Sequence, residues 1–327
     1  MKPLLQVNDL EIAFSEEEDQ IIGTDKISFS VNSSEVLAIV GESGCGKSIT
    51  ALSVMGLLGN GTSVIGGEVL FEGKDLLQMK EKELDKIRGK ELSMVFQDAM
   101  NSLNPVLTIG NQLIETIRIH LKYDKKRARE YAAELLLKVG LPDPKSTLKK
   151  YPHMLSGGMR QRAMIAMALA CRPKLIIADE PTTALDVTIQ LQIMKLLKEL
   201  GKEFKMSIIL ITHDIGMVAE LADRVLVMYA GQFAEESPVD LLFEKPAHPY
   251  TIALLQSVPG IYDDKEKKLV SIPGIVPDRY DTIEGCRFRG RCPYATKICK
   301  KKQEYIEVEA GHMARCHLAN ERKVKTL

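Results

Sequence analysis

Gly41-Glu42-Ser43-Gly44-Cys45-Gly46-Lys47-Ser48 is the stretch on which the reading of this chain turns. Its spacing is G-x-x-x-x-G-K-[ST]. A nucleoside triphosphate carries several phosphate charges. A glycine-rich turn brings successive backbone N–H groups around them, because no Cβ blocks the approach. In this pattern Lys47 reaches the β- and γ-phosphates and the Ser48 hydroxyl binds Mg²⁺. The flanks agree. Val36-Leu37-Ala38-Ile39-Val40 predicts a buried strand leading into Gly41, and residues 48–58 predict a helix. The phosphates then sit at a helix N-terminus, where unpaired N–H groups and the helix dipole favour anions.

Composition narrows the setting. A chain of 327 residues buries a sizeable core and predicts two or three domains or subdomains. Lys plus Arg and Asp plus Glu number 44 each, so zero net charge gives no global attraction to nucleic acid. Tryptophan is absent and aromatics are 5%, so base-stacking platforms are not indicated either. No apolar run approaches the roughly 18 residues of a spanning helix. Residues 1–14 lack a basic region before an apolar core and carry Asp9 and Glu11, so no secretory signal is expected. The expected compartment is the cytosol, where six cysteines are not expected to form structural disulfides.

Short apolar runs alternate with polar turns over residues 1–31 and read as strands, as do residues 66–71. Residues 80–90 are a charged helix and 92–96 a short strand. Residues 108–120 and 125–139 carry apolar side chains at three-to-four spacing, as amphipathic helices do. Further on, residues 160–170 predict a helix, 175–178 a buried strand, 187–203 a helix, 207–212 a strand and 214–222 a helix. Such alternation predicts an α/β fold with a parallel sheet covered by helices. The helical block at about 100–170 interrupts it and reads as an inserted subdomain. From about residue 238 the chain changes character: Pro238, Pro246, Pro249, Pro259, Pro273 and Pro277 punctuate it, and four of the six cysteines fall between Cys286 and Cys316.

Other motifs add chemistry. Leu155-Ser156-Gly157-Gly158-Met159 leads into a helix, and a serine with two glycines at a helix start again suits an anion. Residues 174–180 read Lys-Leu-Ile-Ile-Ala-Asp-Glu. An apolar strand ending in two carboxylates places Asp179 beside Mg²⁺ and leaves Glu180 to polarise a water. Gln97 and His213 end two other apolar strands. Taken singly each motif is weak: Ser-Gly-Gly is usually a turn, and a lone histidine is usually structural.

In this order and spacing, the set resembles the ATP-binding subunits of ATP-binding cassette (ABC) transporters over roughly residues 4–236. The resemblance implies a P-loop NTPase cassette with a parallel-sheet core, an N-terminal antiparallel β subdomain and the helical insertion. It makes Gly41 to Ser48 the Walker A loop, continued by Ile49, and Gln97 the Q-loop. Ser156, Gly157 and Gly158 belong to the signature, Asp179 closes Walker B, and Glu180 is the catalytic carboxylate. Ala184-Leu185-Asp186 is the D-loop and His213 the switch histidine. ATP contacts are implied for Gly41, Glu42, Ser43, Gly44, Cys45, Gly46, Lys47, Ser48, Ile49, Ser156, Gly157, Gly158 and Asp186. Mg²⁺ contacts are implied for Ser48, Gln97 and Asp179. The family stacks adenine on an early aromatic residue; Phe14 is the nearest, although a core phenylalanine at a strand end reads the same way.

The tail resembles the C-terminal extension of oligopeptide/dipeptide importer ATPases, a group that includes nickel and glutathione importers. The matching segments are Ala247-His248-Pro249-Tyr250-Thr251, Leu254-Leu255-Gln256-Ser257-Val258-Pro259, Ile272-Pro273-Gly274, Gly285-Cys286-Arg287-Phe288 and Arg291-Cys292-Pro293, with Asn101-Ser102-Leu103-Asn104-Pro105 after Gln97. The expected division is a cassette at 1–237 and an extension at 238–327. The resemblance implies integral membrane permease subunits as partners, a second ATPase subunit, and an extracytoplasmic substrate-binding protein. It implies a peripheral place on the cytoplasmic face of the membrane. An importer of nickel or another small solute, an exporter ATPase, and a soluble cassette ATPase of DNA repair or translation are the alternatives.

Cys286, Cys292, Cys299 and Cys316 are spaced C-x₅-C-x₆-C-x₁₆-C. Thiolates suit iron–sulfur clusters and zinc alike. Zinc modules favour paired C-x₂-C knuckles, which are absent here. The peptide-importer ATPases that this tail resembles can carry a cluster on such cysteines, so the resemblance implies a [4Fe–4S] cluster here. His312 and His317 keep Zn²⁺ open, and free thiols are the third possibility. Arg287, Arg289, Arg291, Lys297, Lys300, Lys301 and Lys302 are expected to offset a cluster's negative charge, unless they form a solvated face or a lipid-headgroup site. Cys45 and Cys171 are expected to be non-ligands.

Overall fold

The computed structural model describes residues 2–16, 19–98, 102–182, 186–257, 272–277 and 279–319. Ala184, Leu185, Asn101, Val258 and Pro259 therefore lie outside the described residues. The chain forms two compact units, one of Met1–Val31, Val36–Leu77 and Ile211–Leu327, the other of Asn32–Glu35 and Gln78–Leu210.

The first unit opens with strands β1 (Leu5–Glu16) and β2 (Asp19–Val31), which join β4 (Thr62–Phe71) and β5 (Lys74–Asp75) in a four-stranded sheet of order β2-β1-β4-β5. Every pairing in it is antiparallel. The buried side chains of β1 include Leu5 and Val7, then Leu10 and Ile12, with Ala13 after them. Strand side chains alternate with period two, so this sequence of positions requires one extra residue between Val7 and Leu10. The pairing register shifts there, and Asp9 takes φ 45°. Gly67 faces the bulge at φ 91°, with the Asn8 and Asp9 carbonyls 2.5 Å from where a Cβ would stand. Only glycine fits both the space and the dihedral.

The same unit carries β3 (Val36–Val40), helix α1 (Lys47–Met55), α8 (Ile215–Leu221), β9 (Arg224–Tyr229) and β10 (Gln232–Pro238). It ends with α9 (Val239–Glu244), α10 (Pro249–Gln256), β11 (Ile306–Glu309) and β12 (His312–Ala314). Strand β3 pairs parallel with β9, from Leu37↔Arg224 to Val40↔Val227. A two-residue turn, Ala230-Gly231, with φ 48° and 76°, joins β9 to β10. Positive φ at both turn positions matches the twist of a hairpin. Strand β12 pairs with β10 and β11 with β12, both antiparallel.

In the second unit lie α2 (Glu81–Ile87), β6 (Leu92–Val95), α3 (Ile109–Leu121), α4 (Lys125–Lys138), α5 (Pro144–Thr147), α6 (Gly157–Leu169), β7 (Leu175–Asp179) and α7 (Val187–Phe204). Strands β6 and β7 pair parallel, and all nine residues are buried. Strand β8 (Ser207–Thr212) is buried throughout, and the division between units falls within it. Helix starts follow the side chains that cap them. Thr108, Asp124, Ser156 and Asp186 each accept a hydrogen bond from the N–H three residues on. The α/β class, the antiparallel N-terminal strands and the helical block agree with the sequence reading. The predicted helix 48–58 is shorter, because Gly56 at φ 63° caps it and bonds back to Leu52 and Ser53.

The extension is not a separately packed body. Tyr250, Leu254, Leu255, Tyr280 and Phe288 share one apolar cluster with Ala38 and Val40 of β3 and Val225, Val227 and Tyr229 of β9. The tail thus shares the core of the first unit. Glu235 of β10 fastens it further. This fully buried carboxylate accepts from Ala247 N at 2.7 Å, His248 N at 2.8 Å and His312 Nε2 at 2.7 Å.

Candidate functional site

Within the first unit, residues 41–46 form the turn between β3 and α1. Gly44 and Gly46 stand at φ 78° and 108°. At Gly46 a Cβ would lie 2.7 Å from Met228 Cε and 3.1 Å from Gly23 O. Lys47 is 5% exposed, and its Nζ donates to Gly41 O at 2.8 Å and Glu42 O at 2.9 Å. The ammonium is thereby folded back over the loop it belongs to, with Cys45 Sγ 3.7 Å away. Burial, the largest cause, raises the Cys45 thiol's pKa, so Cys45 packs as a neutral side chain. Ser43 and Gly44 are exposed at the turn's outer edge, and Ser48 and Ile49 are half-buried in the first turn of α1. His213 follows β8 and is exposed. The Phe14 ring is 37% exposed and lies over Gly23, where a Cβ would meet Phe14 Cε2 at 2.5 Å. It is not a core residue.

The second unit gathers the acidic set. Asp179 ends β7 and is 4% exposed. Glu180 follows at φ 42°, a left-handed backbone that non-glycine residues adopt at a cost. Gln97 Nε2 donates to Glu180 Oε2 at 2.9 Å, so two residues 83 positions apart meet. Ser156 is the exposed N-cap of α6, and its Oγ accepts from Met159 N at 3.4 Å. Gly157 and Gly158 form the first turn of that helix, and Asp186 caps α7 through Ile189 N at 2.9 Å. Ser156 is thus both the cap of its helix and an exposed hydroxyl at a helix N-terminus.

A second candidate centre lies in the extension. Cys286, Cys292, Cys299 and Cys316 line one cavity together with His248, Tyr294 and His317. Cys299 Sγ is 3.8 Å from His317 Nδ1. Burial, chiefly, pushes the Cys292 thiol up to about 12 and the Cys316 thiol up to about 11, and the neighbouring thiols add to both. Such groups resist becoming thiolates unless a cation compensates them. Among the described residues no three His, Cys, Asp or Glu side chains are drawn tightly enough to hold a metal ion.

Two expectations are corrected here. His312 is turned to Glu235 and does not line the cysteine cavity. None of the seven basic residues lines it either. Arg287 bonds Ala230 O and Asp25, Arg289 bonds Glu284 O, and Arg291 bonds Glu42. Cys45 and Cys171 lie outside it. Sequence reasoning did not find Arg291 and Tyr250 as neighbours of the glycine-rich loop. Arg291 Nη1 and Nη2 meet Glu42 Oε2 and Oε1 at 2.7 and 2.9 Å, and Tyr250 Oη accepts from Glu42 N at 2.9 Å. The tail motifs contained both residues but gave no hint of what they touch.

Residues 24–183 match the ABC transporter family, and residues 234–299 match the oligopeptide/dipeptide transporter C-terminal region. The chain is 49% identical over 320 residues to the probable peptide ABC transporter ATP-binding protein y4tR of Sinorhizobium fredii, covering 97% of this chain and 96% of that one. It is 49% identical over 315 residues to the dipeptide transport ATP-binding protein DppD of Escherichia coli, covering 96% of each. Identity with the oligopeptide transport ATP-binding protein AppD of Bacillus subtilis is 50% over 323 residues, 98% of each chain. Among solved structures, a dimeric post-hydrolysis state of the ATP-binding cassette MJ0796 with ADP and Pi superposes with TM-score 0.64. It is 28% identical and covers 72% of this chain and 98% of its own. The cbiO1 structure from Clostridium perfringens, part of the cbiONQ transporter complex, gives 0.64 at 29% identity, over 75% of this chain and 92% of its own.

Proposed function

The chain belongs to the ATP-binding proteins of ABC transporters, in their oligopeptide/dipeptide branch, and from that premise we propose how its residues do the work. It is the ATP-hydrolysing subunit of a peptide importer. The observation that carries this is near 50% identity to peptide-transport ATPases along almost the whole chain, extension included.

Phosphoryl transfer to water is catalysed mainly by positioning and charge stabilisation. Lys47, now resting on Gly41 and Glu42 carbonyls, swings onto the β- and γ-phosphates, and the freed loop closes around them. Ser48, Gln97 and Asp179 hold the Mg²⁺ position; the ion, when bound, neutralises charge developing on the phosphates. Glu180 takes a proton from the attacking water, while Gln97 holds its carboxylate in place. His213 donates to the γ-phosphate, and Phe14 offers its exposed ring to adenine. The equivalent of Ser156 in a second ATPase subunit, the same chain or a related one, completes the γ-phosphate site. Closure on ATP and opening after hydrolysis drive integral membrane permease subunits between inward and outward states. An extracytoplasmic binding protein delivers the peptide.

None of the described helices is long and apolar enough to cross a membrane. The subunit sits on the cytoplasmic face of the membrane, held by the permease subunits. The extension, from about residue 238, holds a [4Fe–4S] cluster on Cys286, Cys292, Cys299 and Cys316. What supports this is that the four cysteines line one cavity, Cys299 and Cys316 buried and Cys286 and Cys292 half-buried, and a cluster spaces its thiolates more widely than a single ion does.

Co-expression tests the assembly. With its permease subunits the chain sediments with the membrane and resists a salt wash that strips electrostatically adsorbed proteins. Expressed alone it stays in the supernatant. Firm attachment to membranes lacking the permease rejects this assignment.

A further inference from the structure

We infer that the extension braces the phosphate-binding loop, with Arg291 and Tyr250 as positioning residues for ATP. The inference rests on the ATPase reading above and goes beyond it, because it assigns a task in nucleotide binding to residues 202 and more positions downstream of Ser48.

The contacts converge on Glu42, the second residue of the loop. Its backbone N–H donates to Tyr250 Oη at 2.9 Å, and Tyr250 is fully buried. Its carboxylate is held by both terminal nitrogens of Arg291, at 2.7 and 2.9 Å. The Arg291 side chain is 8% exposed. Its remaining donors reach Pro273 O at 2.8 Å and Gly274 O at 3.1 Å, the Ile272-Pro273-Gly274 segment of the extension. One guanidinium therefore ties a tail segment to the loop. A planar fork in this bidentate geometry fixes position and direction together.

A second arm reaches the far side of the same loop. Arg287 Nη1 donates to Ala230 O and Nη2 to Asp25 Oδ2, the latter at 2.7 Å. The next residue, Gly231, donates its N–H to Cys45 O at 2.9 Å. Tyr280, beside Arg287, donates its hydroxyl to Gly23 O at 2.7 Å. Both arms leave the extension next to a cavity cysteine: Arg287 follows Cys286 and Arg291 precedes Cys292. The order of the cysteine segment is thus transmitted to both flanks of the loop by two rigid arginines.

The chemistry gives Arg291 a second task. Glu42 places a carboxylate in a loop shaped to receive several phosphate charges. Unpaired, it repels them; paired with Arg291, it is neutralised. Removal of Arg291 then weakens ATP binding in two ways, by loosening the loop and by exposing the charge. Only the second is relieved when the charge at residue 42 is also removed.

The test measures binding of a fluorescent ATP analogue with Mg²⁺ to the purified full chain. Arg291→Ala is expected to weaken binding by about tenfold, the scale of one charge-assisted contact. Arg291→Ala with Glu42→Gln is expected to recover most of that loss, and the loss in Arg291→Ala is expected to shrink in high salt. Should the arginine variants not fold, Tyr250→Phe removes only the hydroxyl on Glu42 N and is expected to weaken binding several-fold. Lys47→Ala serves as the control and abolishes binding. Parent affinity in Arg291→Ala or Tyr250→Phe, with Lys47→Ala still dead, overturns the brace and leaves the ATPase reading standing. A loss in Arg291→Ala that Glu42→Gln does not relieve overturns the electrostatic task. Parent affinity in Lys47→Ala overturns the nucleotide reading and the brace with it.

Discussion

Gln97 Nε2 and Glu180 Oε2 lie 2.9 Å apart, so the glutamine that ends one strand grips the carboxylate that follows another. Glu180 reaches this contact at φ 42°, off the backbone that its side chain prefers. A strained residue whose carboxylate is held by a neighbour has its position fixed for a task. Asp179 is buried one residue earlier, and the proposed mechanism divides the two carboxylates between metal and water.

Glu180→Gln follows directly. The amide is isosteric and its oxygen still accepts from Gln97, so the local geometry survives. The base is gone. In the assembled transporter, turnover should fall by at least about 10² to 10³-fold, while ATP binding stays near the parent value. An ATP-bound dimer should accumulate on size-exclusion chromatography. Hydrolysis at the parent rate would remove Glu180 from the role of base.

Ser156 separates cap from catalyst. Its Oγ accepts from Met159 N, so Ser156→Ala costs about 1 kcal/mol through the lost cap and confuses the two roles. Aspartate caps as well as serine, yet it places a carboxylate where a γ-phosphate must dock. Ser156→Asp should therefore melt within a degree or two of the parent. Its ATP hydrolysis in the assembled transporter should drop by at least about tenfold. Parent hydrolysis with parent stability would show that this serine does not meet the nucleotide.

The legible part of this molecule is its local part. The start of α1 and the starts of α3, α4, α6 and α7 were readable because a helix end depends on one or two side chains near it, whereas the short α5, capped by Asp143 through Ser146 N, was not. Strands β3, β7 and β8 were readable as continuous apolar runs, since both faces are buried. The hairpin of β9 and β10 was missed, although Ala230-Gly231 marks its turn, because its first central residue is an alanine in the left-handed region. Strands β11 and β12 were missed because they are short and alternate weakly. The Arg291–Glu42 pair joins positions 249 apart, and no local pattern carries such a contact. The convergence of four cysteines was suggested by family likeness, whereas the turn of His312 toward Glu235 depends on a register that only the fold reveals.

His248 predicts an acid limit for the extension. It is 3% exposed, and burial pulls its pKa from 6.5 down to about 4; Glu235 opposes the shift and Arg315 adds to it. Its Nδ1 accepts from Tyr250 N at 3.0 Å, which only an unprotonated nitrogen can do. The folded pKa lies below the unfolded one, so the unfolded chain binds the proton more readily. Stability from this group is complete above pH 6.5, erodes as pH falls toward 4, and totals about 3 kcal/mol. His248→Asn keeps a cap acceptor for Tyr250 N and removes the titration. Urea midpoints measured from pH 7.5 to 4.5 should fall less steeply in His248→Asn than in the parent. Parallel curves would assign the acid limit to other groups.

The cysteine cavity makes the sharpest claim on composition. Four thiols line it, and at least three have pKa values raised by burial, so each is costly to ionise alone. A polynuclear centre compensates four thiolates at once. The cavity lies where Phe288 and His248 meet it from the first unit's core, so the centre would finish an already anchored tail and not build one from nothing. Loss of one ligand should therefore strip the centre without unfolding the cassette. Anaerobically purified protein should be brown, absorb broadly in the visible blue, and contain about four irons per chain. Cys299→Ser should bleach it and empty it of iron, yet leave the far-ultraviolet circular dichroism close to the parent. Colourless anaerobic protein with one zinc per chain would replace the cluster by a thiolate–histidine zinc site that uses His317, 3.8 Å from Cys299. Colourless protein with neither metal would leave the four thiols as plain packing, and the brace on Glu42 would then depend on Arg287, Arg291 and the aromatic core alone.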